Sequence, residues 1–242
     1  GQSPDIVSLT DSFRSTGAFT VAVTNDTNSP LAAATNATLN IHAGPELSVA
    51  ATKTFVTSMV AGLWLLAEMK QDSDLLKAVH SLPEHLAAAT QCDWSAVVEA
   101  VDGRSLFALG RGPSWAVSNE AALKFKETCQ IHAESYSSAE VLHGPVSIVG
   151  SGFPVIAFAA GDAAEDSVAE VADALVAKGA NVFATTEKVK NAVTLPHVRT
   201  DHWITDPIAA IVSFYGMVEQ VAAARGINPD APRHLNKVTE TV

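Results

Sequence analysis

Residues 120–145 concentrate side chains that can take up or release protons. The segment reads EAALKFKETCQIHAESYSSAEVLHGP. Lys124 and Glu127 are three residues apart and Glu120 precedes Lys124 by four, so all three fall on one face of a predicted helix. Such pairs often form salt bridges on a solvated helix surface. The neighbouring residues are apolar, however, and a carboxylate held there beside a cation is what a general base near neutral pH requires.

His143 follows on a predicted turn, directly before Gly144 and Pro145. A turn residue can point its ring into a neighbouring cleft, and the ordinary pKa of histidine suits proton exchange with a hydroxyl group. The alternative is a surface histidine without a chemical role. The sequence alone leaves both interpretations open.

Two further segments have the small residues and turns that a bound ligand needs. GQSPDIV at the start is a loop-to-helix junction, a common cradle for phosphate. AGPELSVAATKTF places a helix rich in small residues after Gly44 and Pro45, and small residues let a ligand approach the backbone. Tight helix packing would explain the second segment equally well. The tail PDAPRHLNKVTETV has no helical period, so it either docks on the protein or frays.

These segments are positioned by strands and helices that alternate along the chain. Apolar runs closed by turn residues predict strands at FTVAVTN, ATLNIHAG, SLFALGRG, PVIAFAAGD, NVFATTE and HVRTDHWI. Amphipathic or well-capped patterns predict helices at 46–70, 73–89, 118–128, 164–178 and 206–225. This alternation indicates an α/β fold of two units, each with a parallel sheet and helices on both faces. We expect residues 1–91 to hold the first unit with a helical connection, 92–227 the second, and 228–242 the tail.

Charge and composition exclude several classes of protein. The net charge is -11 and no basic stripe is present, which excludes a nucleic-acid partner. An anionic ligand must therefore be held by local N–H groups and hydroxyls. No metal-ligand spacing or dinucleotide loop occurs, so we expect neither a metal nor an organic cofactor. The two cysteines, and the absence of a secretory signal or a spanning segment, predict a cytoplasmic protein without a membrane partner.

The quoted segments stand together in an order that resembles the double sugar-isomerase (SIS) domain family. The segments are GQSPD, AGPELSVAATKTF, LGRGPSWAVSNEAALKFKE, IHAESYSSAEVLHGP and PRHLNKVT. The chain is similar to the isomerase half of glucosamine-6-phosphate synthase and to stand-alone glucosamine-6-phosphate deaminases. In this family another strand, a helix and a Ser-x-Ser motif normally precede the first segment. The resemblance therefore implies a first domain that is incomplete at its N-terminus.

The resemblance also implies a role for each of nine residues. Glu127 matches the base for proton transfer between C1 and C2, Lys124 the lysine beside it, and His143 the ring-opening group. Lys237 matches a tail lysine that touches the open-chain sugar close to the base. The substrate-binding residues are Gln2 and Ser3 for phosphate, and Val49, Ala50 and Ala51 for the sugar. Ala51 stands where the synthase has a serine, which removes one hydroxyl contact.

The function that this resemblance implies is isomerisation of a phosphorylated hexose or amino-hexose with loss of the 2-amino group. Glucosamine-6-phosphate would give fructose-6-phosphate and ammonia. A homodimer is expected, because in the family the ring-opening histidine reaches the neighbouring subunit's site. The alternatives are an isomerase that does not deaminate, the isomerase part of a glutamine–fructose-6-phosphate aminotransferase, and a sugar-phosphate sensor without catalysis. The presence of both a base and two lysines favours an enzyme over a sensor.

Overall fold

The computed structural model describes residues 1–103 and 105–237, which form two compact units. Unit 1 contains Gly1–Leu76 together with the described C-terminal residues from Asp230, and unit 2 contains Lys77–Pro229. This division falls inside a helix, whereas the sequence analysis placed its boundaries at 91/92 and 227/228. Those domain boundaries stay predictions, and residues 238–242 of the predicted tail lie outside the described part of the chain.

Unit 1 is built on a pair of parallel strands with helices packed beside them. Its elements are α1 (Pro4–Ser15), β1 (Val21–Thr24), α2 (Pro30–Ala34), β2 (Ala37–Asn40) and α3 (Lys53–Lys70), and α4 (Ser73–Ala89) follows. β1 and β2 pair in register from Val21 opposite Ala37 to Thr24 opposite Asn40. Helices α2 and α3 both contact β1. Helices α1 and α2 each begin with a proline in the first turn, where a missing N–H costs nothing.

Unit 2 contains a five-stranded sheet in the order β4-β3-β5-β6-β7. Its elements are α5 (Ser95–Ala100), β3 (Ser105–Gly110), α6 (Pro113–Cys129), β4 (His132–Ser137), β5 (Pro154–Ala157), α7 (Glu165–Val176), β6 (Asn181–Ala184), β7 (Val193–Thr194) and α8 (Asp206–Ala224). Two single turns of 3₁₀-helix, Val141–His143 and Pro145–Ile148, lie between β4 and β5. All four strand pairs are parallel, so the predicted α/β class with parallel sheets and flanking helices is confirmed.

The sheet of unit 2 is buried on both faces. Phe107, Leu109 and Val155 point to one face, where they pack in a cluster with Val168 and Leu175 of α7. The alternate residues of the strands point to the other face, because successive side chains of a strand alternate. On that side the ring of Phe158 lies 6.1 Å from that of Phe214 in α8, and Phe214 lies 5.3 Å from Phe125 in α6.

One strand prediction was wrong, and two strands of unit 2, β4 and β7, were not predicted. HVRTDHWI, residues 197–204, contains no strand, because its polar groups bind inward rather than along a ladder. The Arg199 guanidinium donates to the carbonyl oxygen of Ala159 at 2.8 Å and pairs with the Glu165 and Asp206 carboxylates. Thr200 donates its N–H to Asp206 at 2.8 Å. Conversely, β4 was not predicted at all, since HAESYS carries mostly polar side chains.

Helix α8 is the described helix whose length and apolar character would also suit a membrane span. It runs over Asp206–Ala224 with a mean hydropathy of 1.3, and 61% of it is buried inside the protein. Its apolar side chains include the fully buried Phe214. Within the described ranges it is therefore packed as the core helix of unit 2.

The aromatic cluster around Phe214 predicts a large loss of stability when it is truncated. Phe214 is fully buried between two other rings, so Phe214→Ala should leave a cavity and cost about 3–5 kcal/mol of unfolding free energy. Phe13→Ala is the matched control, because that ring is 55% exposed and should stay within about 0.5 kcal/mol of wild type. Urea denaturation of both variants measures the difference. A similar cost for both substitutions would contradict the assigned core.

Candidate active site

Helix α6 aligns three charged side chains on one face. Pro113 opens it and Gln130, in the left-handed conformation with φ 55°, ends it. Between these ends the alanine, leucine, lysine and glutamate residues are all good helix formers. The helix packs against β3, β4 and α8, so the face that carries Glu120 and Lys124 turns inward.

Glu120, Lys124 and Glu127 form one connected cluster. Lys124 Nζ lies 2.6 Å from Glu127 Oε2 and 3.2 Å from Glu120 Oε1. The side chain of Lys124 is 3% exposed, that of Glu120 6%, and that of Glu127 20%. A solvated surface salt bridge is therefore excluded. Lys124 is sequestered between two carboxylates, and Glu127 is the member of the cluster that solvent can still reach.

Burial and hydrogen bonding divide the two carboxylates into different roles. Burial raises the pKa of the Glu120 carboxyl, and the Lys124 ammonium and the Tyr215 hydroxyl offset only part of that rise. Tyr215 donates to Glu120 Oε1 at 2.8 Å. Within residues 1–103 and 105–237, Glu127 Oε1 has no hydrogen-bond partner, while its Oε2 accepts from Lys124. Glu127 thus presents one oxygen that is free to take a proton from a ligand.

The spacing in the sequence pairs Glu120 with Lys124 but indicates no role for Glu120. Its second partner, Tyr215, lies 95 residues further along the chain on α8. No local spacing could have indicated that contact. A tyrosine in a mainly apolar helix is the one signal that was available, since a partly buried hydroxyl needs a partner.

His143 lies in unit 2 at the end of the 3₁₀ turn Val141–His143. It is exposed, and Gly144 follows it with φ 146°, a conformation that only glycine adopts readily. The interpretation of this segment as a turn agrees with the structure. Its role in ring opening stays a prediction.

The substrate-binding residues implied by the resemblance, together with Lys237, lie in unit 1. Gln2 and Ser3 come directly before α1, and the Ser3 hydroxyl makes no capping hydrogen bond to that helix. A shallow groove beside them is lined by Gln2, Pro4, Val7 and Ser8 among others. Ala50 is buried, while Val49 and Ala51 are partly exposed. The first-turn N–H groups of α1 and the unused Ser3 hydroxyl are suitable donors to an anion.

Lys237 and the segment before it contact the loop that leads into α3. Lys237 Nζ donates to the carbonyl oxygen of Ser48 at 2.5 Å. Val49 donates its N–H to the carbonyl of Asp230 at 3.3 Å, and the Ser48 hydroxyl binds the Asp230 carboxylate. The structure therefore places Lys237 beside Val49 within unit 1. The predicted proximity of Lys237 to Glu127 stays a prediction.

Helix α3 was predicted to begin at Glu46, but it begins at Lys53. The Glu46 carboxylate instead accepts the N–H groups of Thr52 at 2.9 Å and Thr54 at 3.2 Å. Since these groups belong to the orphan donors of the helix start, Glu46 acts as a cap from outside the helix. The sequence gives no sign that Glu46 has a functional role.

Metal ligation finds no support in the described ranges. No group of three or more His, Cys, Asp or Glu side chains there could hold an ion. The chemistry that the cluster on α6 can perform is proton transfer by a carboxylate next to an ammonium group.

Comparison with known proteins identifies the family. A model of the SIS domain matches residues 1–69 and 101–225. A candidate phosphosugar isomerase from Silicibacter pomeroyi DSS-3 is 64% identical with a TM-score of 0.91, over 95% of this chain and 71% of its own. The C-terminal domain of glucosamine-fructose-6-phosphate aminotransferase from Francisella tularensis is 25% identical with a TM-score of 0.80, over 96% of this chain and 72% of its own.

A longer enzyme is also similar over nearly the whole chain. The glutamine–fructose-6-phosphate aminotransferase of Sulfolobus acidocaldarius is 30% identical over 98% of this chain. The chain spans 40% of the length of that enzyme. These matches cover the cluster on α6 as well as the segments around Ser3 and Val49. The chain belongs to the SIS domain family and is homologous to the isomerase half of glutamine–fructose-6-phosphate aminotransferases.

Proposed function

We propose that the chain catalyses aldose–ketose isomerisation of a phosphorylated hexose, with glucosamine-6-phosphate as its substrate. The observation that supports this most strongly is the cluster of Glu120, Lys124 and Glu127. Glu127 is partly exposed, and its Oε1 has no hydrogen-bond partner among the described residues. The buried Lys124 ammonium lies 2.6 Å from its other oxygen, Oε2. A sensor would need phosphate and hydroxyl contacts but no such base. The relationship to the isomerase half of the aminotransferases supports the same substrate class.

The proposed reaction begins on the open-chain sugar. Glu127 removes the proton from C2 of the 2-amino aldehyde, and the electron pair moves to form an enolamine whose oxygen at C1 carries the developing negative charge. Return of a proton to C1, with transfer of one N–H proton to the oxygen at C1, gives the ketose imine. Water then hydrolyses the imine to fructose-6-phosphate and ammonia, so that atoms balance with one water consumed. The Lys124 ammonium donates to Glu127 Oε2 and so orients the carboxylate for the proton transfer.

Binding of the anionic substrate is assigned to unit 1. Because the chain carries a net charge of -11, long-range attraction does not assist a phosphate. We assign the phosphate to Gln2, Ser3 and the first turn of α1, where N–H groups and the helix dipole favour an anion. The sugar is assigned to the backbone of Val49–Ala51. Lys237 is assigned to the oxygen that becomes negative during proton transfer.

A homodimer is part of the proposal, because the exposed His143 would open the pyranose ring in the neighbouring subunit's site. We expect sedimentation at working concentration to show a dimer, and we expect His143→Ala to lose turnover. Mixing His143→Ala with Glu127→Gln subunits should restore part of the activity in mixed dimers, because one of the two sites then combines an intact histidine with an intact glutamate while the other carries both substitutions. A well-folded, fully active monomer would contradict this arrangement.

One assay tests the proposed function. The full-length protein is incubated with glucosamine-6-phosphate, and ammonia and fructose-6-phosphate are measured, with glucose-6-phosphate as the substrate that lacks the amino group. Equal amounts of both products support deamination. Isomerisation of glucose-6-phosphate alone would restrict the function to a ketose–aldose isomerase, and tight binding without turnover of either sugar would indicate a sensor.

A further inference from the structure

The loop between β2 and α3 contains an acidic residue, Glu46, that contacts two other segments of unit 1. Glu46 Oε1 accepts the N–H groups of Thr52 and Thr54, and its Oε2 accepts the Thr54 hydroxyl at 2.5 Å. Oε2 also lies 3.7 Å from Lys237 Nζ. The Glu46 side chain is 7% exposed. One carboxylate therefore joins the start of α3, the loop that includes Val49 and the C-terminal segment.

Glu46 is held in its ionised form. Burial alone would raise the pKa of its carboxyl, but the hydrogen bonds from Thr54 and Thr52 and the Lys237 charge together bring the pKa below its ordinary value. An ionised carboxylate at this depth is a fixed negative charge for the lysine. Its two N–H contacts also fix its position relative to the backbone at the start of α3.

These contacts orient Lys237 but do not occupy all of its hydrogen-bond donors. Its ammonium carries three donors, one of which goes to the Ser48 carbonyl. Glu46 is within ion-pair distance but too far for a hydrogen bond. The Lys237 side chain is 40% exposed. Counting only the contacts among residues 1–103 and 105–237, two donors are thus available to a ligand that lies along Val49–Ala51.

We propose that Glu46 is a positioning residue, which fixes the Lys237 ammonium at the segment Val49–Ala51 so that the lysine meets the sugar oxygen bound there. This inference rests on the proposed function and adds a residue to it. Glu46 does not touch the substrate and acts through Lys237. A role limited to capping α3 would instead lower stability or binding, and it would do so whether or not Lys237 is present.

Glu46→Gln distinguishes positioning of Lys237 from capping of α3, because the remaining side-chain oxygen can still accept the Thr52 and Thr54 N–H groups. The new amide donors face Lys237 and cannot attract it. We expect kcat to fall by about 10–100-fold, the usual effect of a displaced catalytic group, while KM stays within about twofold. In a Lys237→Met background, Glu46→Gln should lower kcat no further. Thr54→Val is the matched control: it removes a hydrogen bond from the same carboxylate, keeps its charge, and should leave kcat within about twofold of wild type.

Amine labelling measures the same link without turnover. Reaction of Lys237 with an N-hydroxysuccinimide ester, followed by mass spectrometry with the exposed Lys70 as internal reference, should be faster in Glu46→Gln than in wild type. Unchanged labelling, or equal losses of kcat with and without Lys237, would overturn the proposal. If wild type turns over no hexose phosphate, the proposed function fails, and the labelling rates then decide by themselves whether Glu46 positions Lys237.

Discussion

Glu127→Gln is expected to lower turnover of the hexose phosphate by about 10²–10⁴-fold, the usual contribution of one acid–base group. The amide keeps the shape of the side chain and its contact with Lys124, but it cannot accept a proton from carbon. Substrate binding should change little, because phosphate and sugar contacts are assigned to unit 1. Steady-state kinetics and a titration with substrate measure the two effects separately.

Glu219→Gln is the control for this experiment. Glu219 is exposed on α8, so its substitution tests the general effect of losing one negative charge from a chain of net charge -11. It should leave turnover unchanged. If Glu127→Gln retains turnover within a few-fold of wild type, the cluster on α6 is a structural ion pair and another group is the base.

Lys237→Met is the second substitution with a large expected effect. The methionine keeps most of the apolar stem and removes the ammonium that faces Ser48 and Glu46. If the lysine stabilises the oxygen that becomes negative, kcat should fall by about 10²–10³-fold, as it does when a single oxyanion donor is lost. Turnover kinetics and thermal denaturation of the same samples measure function and stability.

Deletion from Pro232 onward extends this test to the whole segment. The truncated protein keeps Asp230, which contacts Ser48 and Val49, so thermal stability should be nearly unchanged while turnover is abolished. Lys237→Arg is the control that keeps the positive charge at a different geometry, and it should recover part of the rate. A truncated protein that keeps its rate would show that the C-terminal segment has no part in catalysis.

The sequence predicts the central strands better than the polar edge of the sheet. β5 and β6 lie in apolar runs that turn residues close, and they are buried on both faces, which the pattern indicates. β4 pairs only with β3, and its sequence HAESYS lacks the apolar run that would mark a strand. Residues 197–204 have strand-like side chains, but Arg199 and Thr200 are bound to Glu165 and Asp206 instead.

In the candidate site, the sequence predicts the contacts between residues that are close along the chain but not those between distant segments. The spacing of Lys124 and Glu127 is local, so helix geometry alone predicts that they face each other. Ser48 and Lys237 are 189 residues apart, and their contact depends on how the segment after Asp230 returns to unit 1. The sequence predicts a helix that begins at Glu46, whereas α3 begins at Lys53. Its side chain caps α3 from outside, and no local pattern distinguishes that position from the first helical turn.

Isotope exchange tests most directly the claim that Glu127 transfers a proton between the two sugar carbons. Wild type and Glu127→Gln are incubated with glucosamine-6-phosphate in D₂O, and deuterium at C1 of fructose-6-phosphate is measured by NMR. A carboxylate base exchanges its proton with solvent, so wild type should deliver deuterium to C1, and Glu127→Gln should do so at a rate lower by about 10²–10⁴-fold. Formation of fructose-6-phosphate by Glu127→Gln at the wild-type rate, or equal deuterium incorporation by both proteins, would contradict the account.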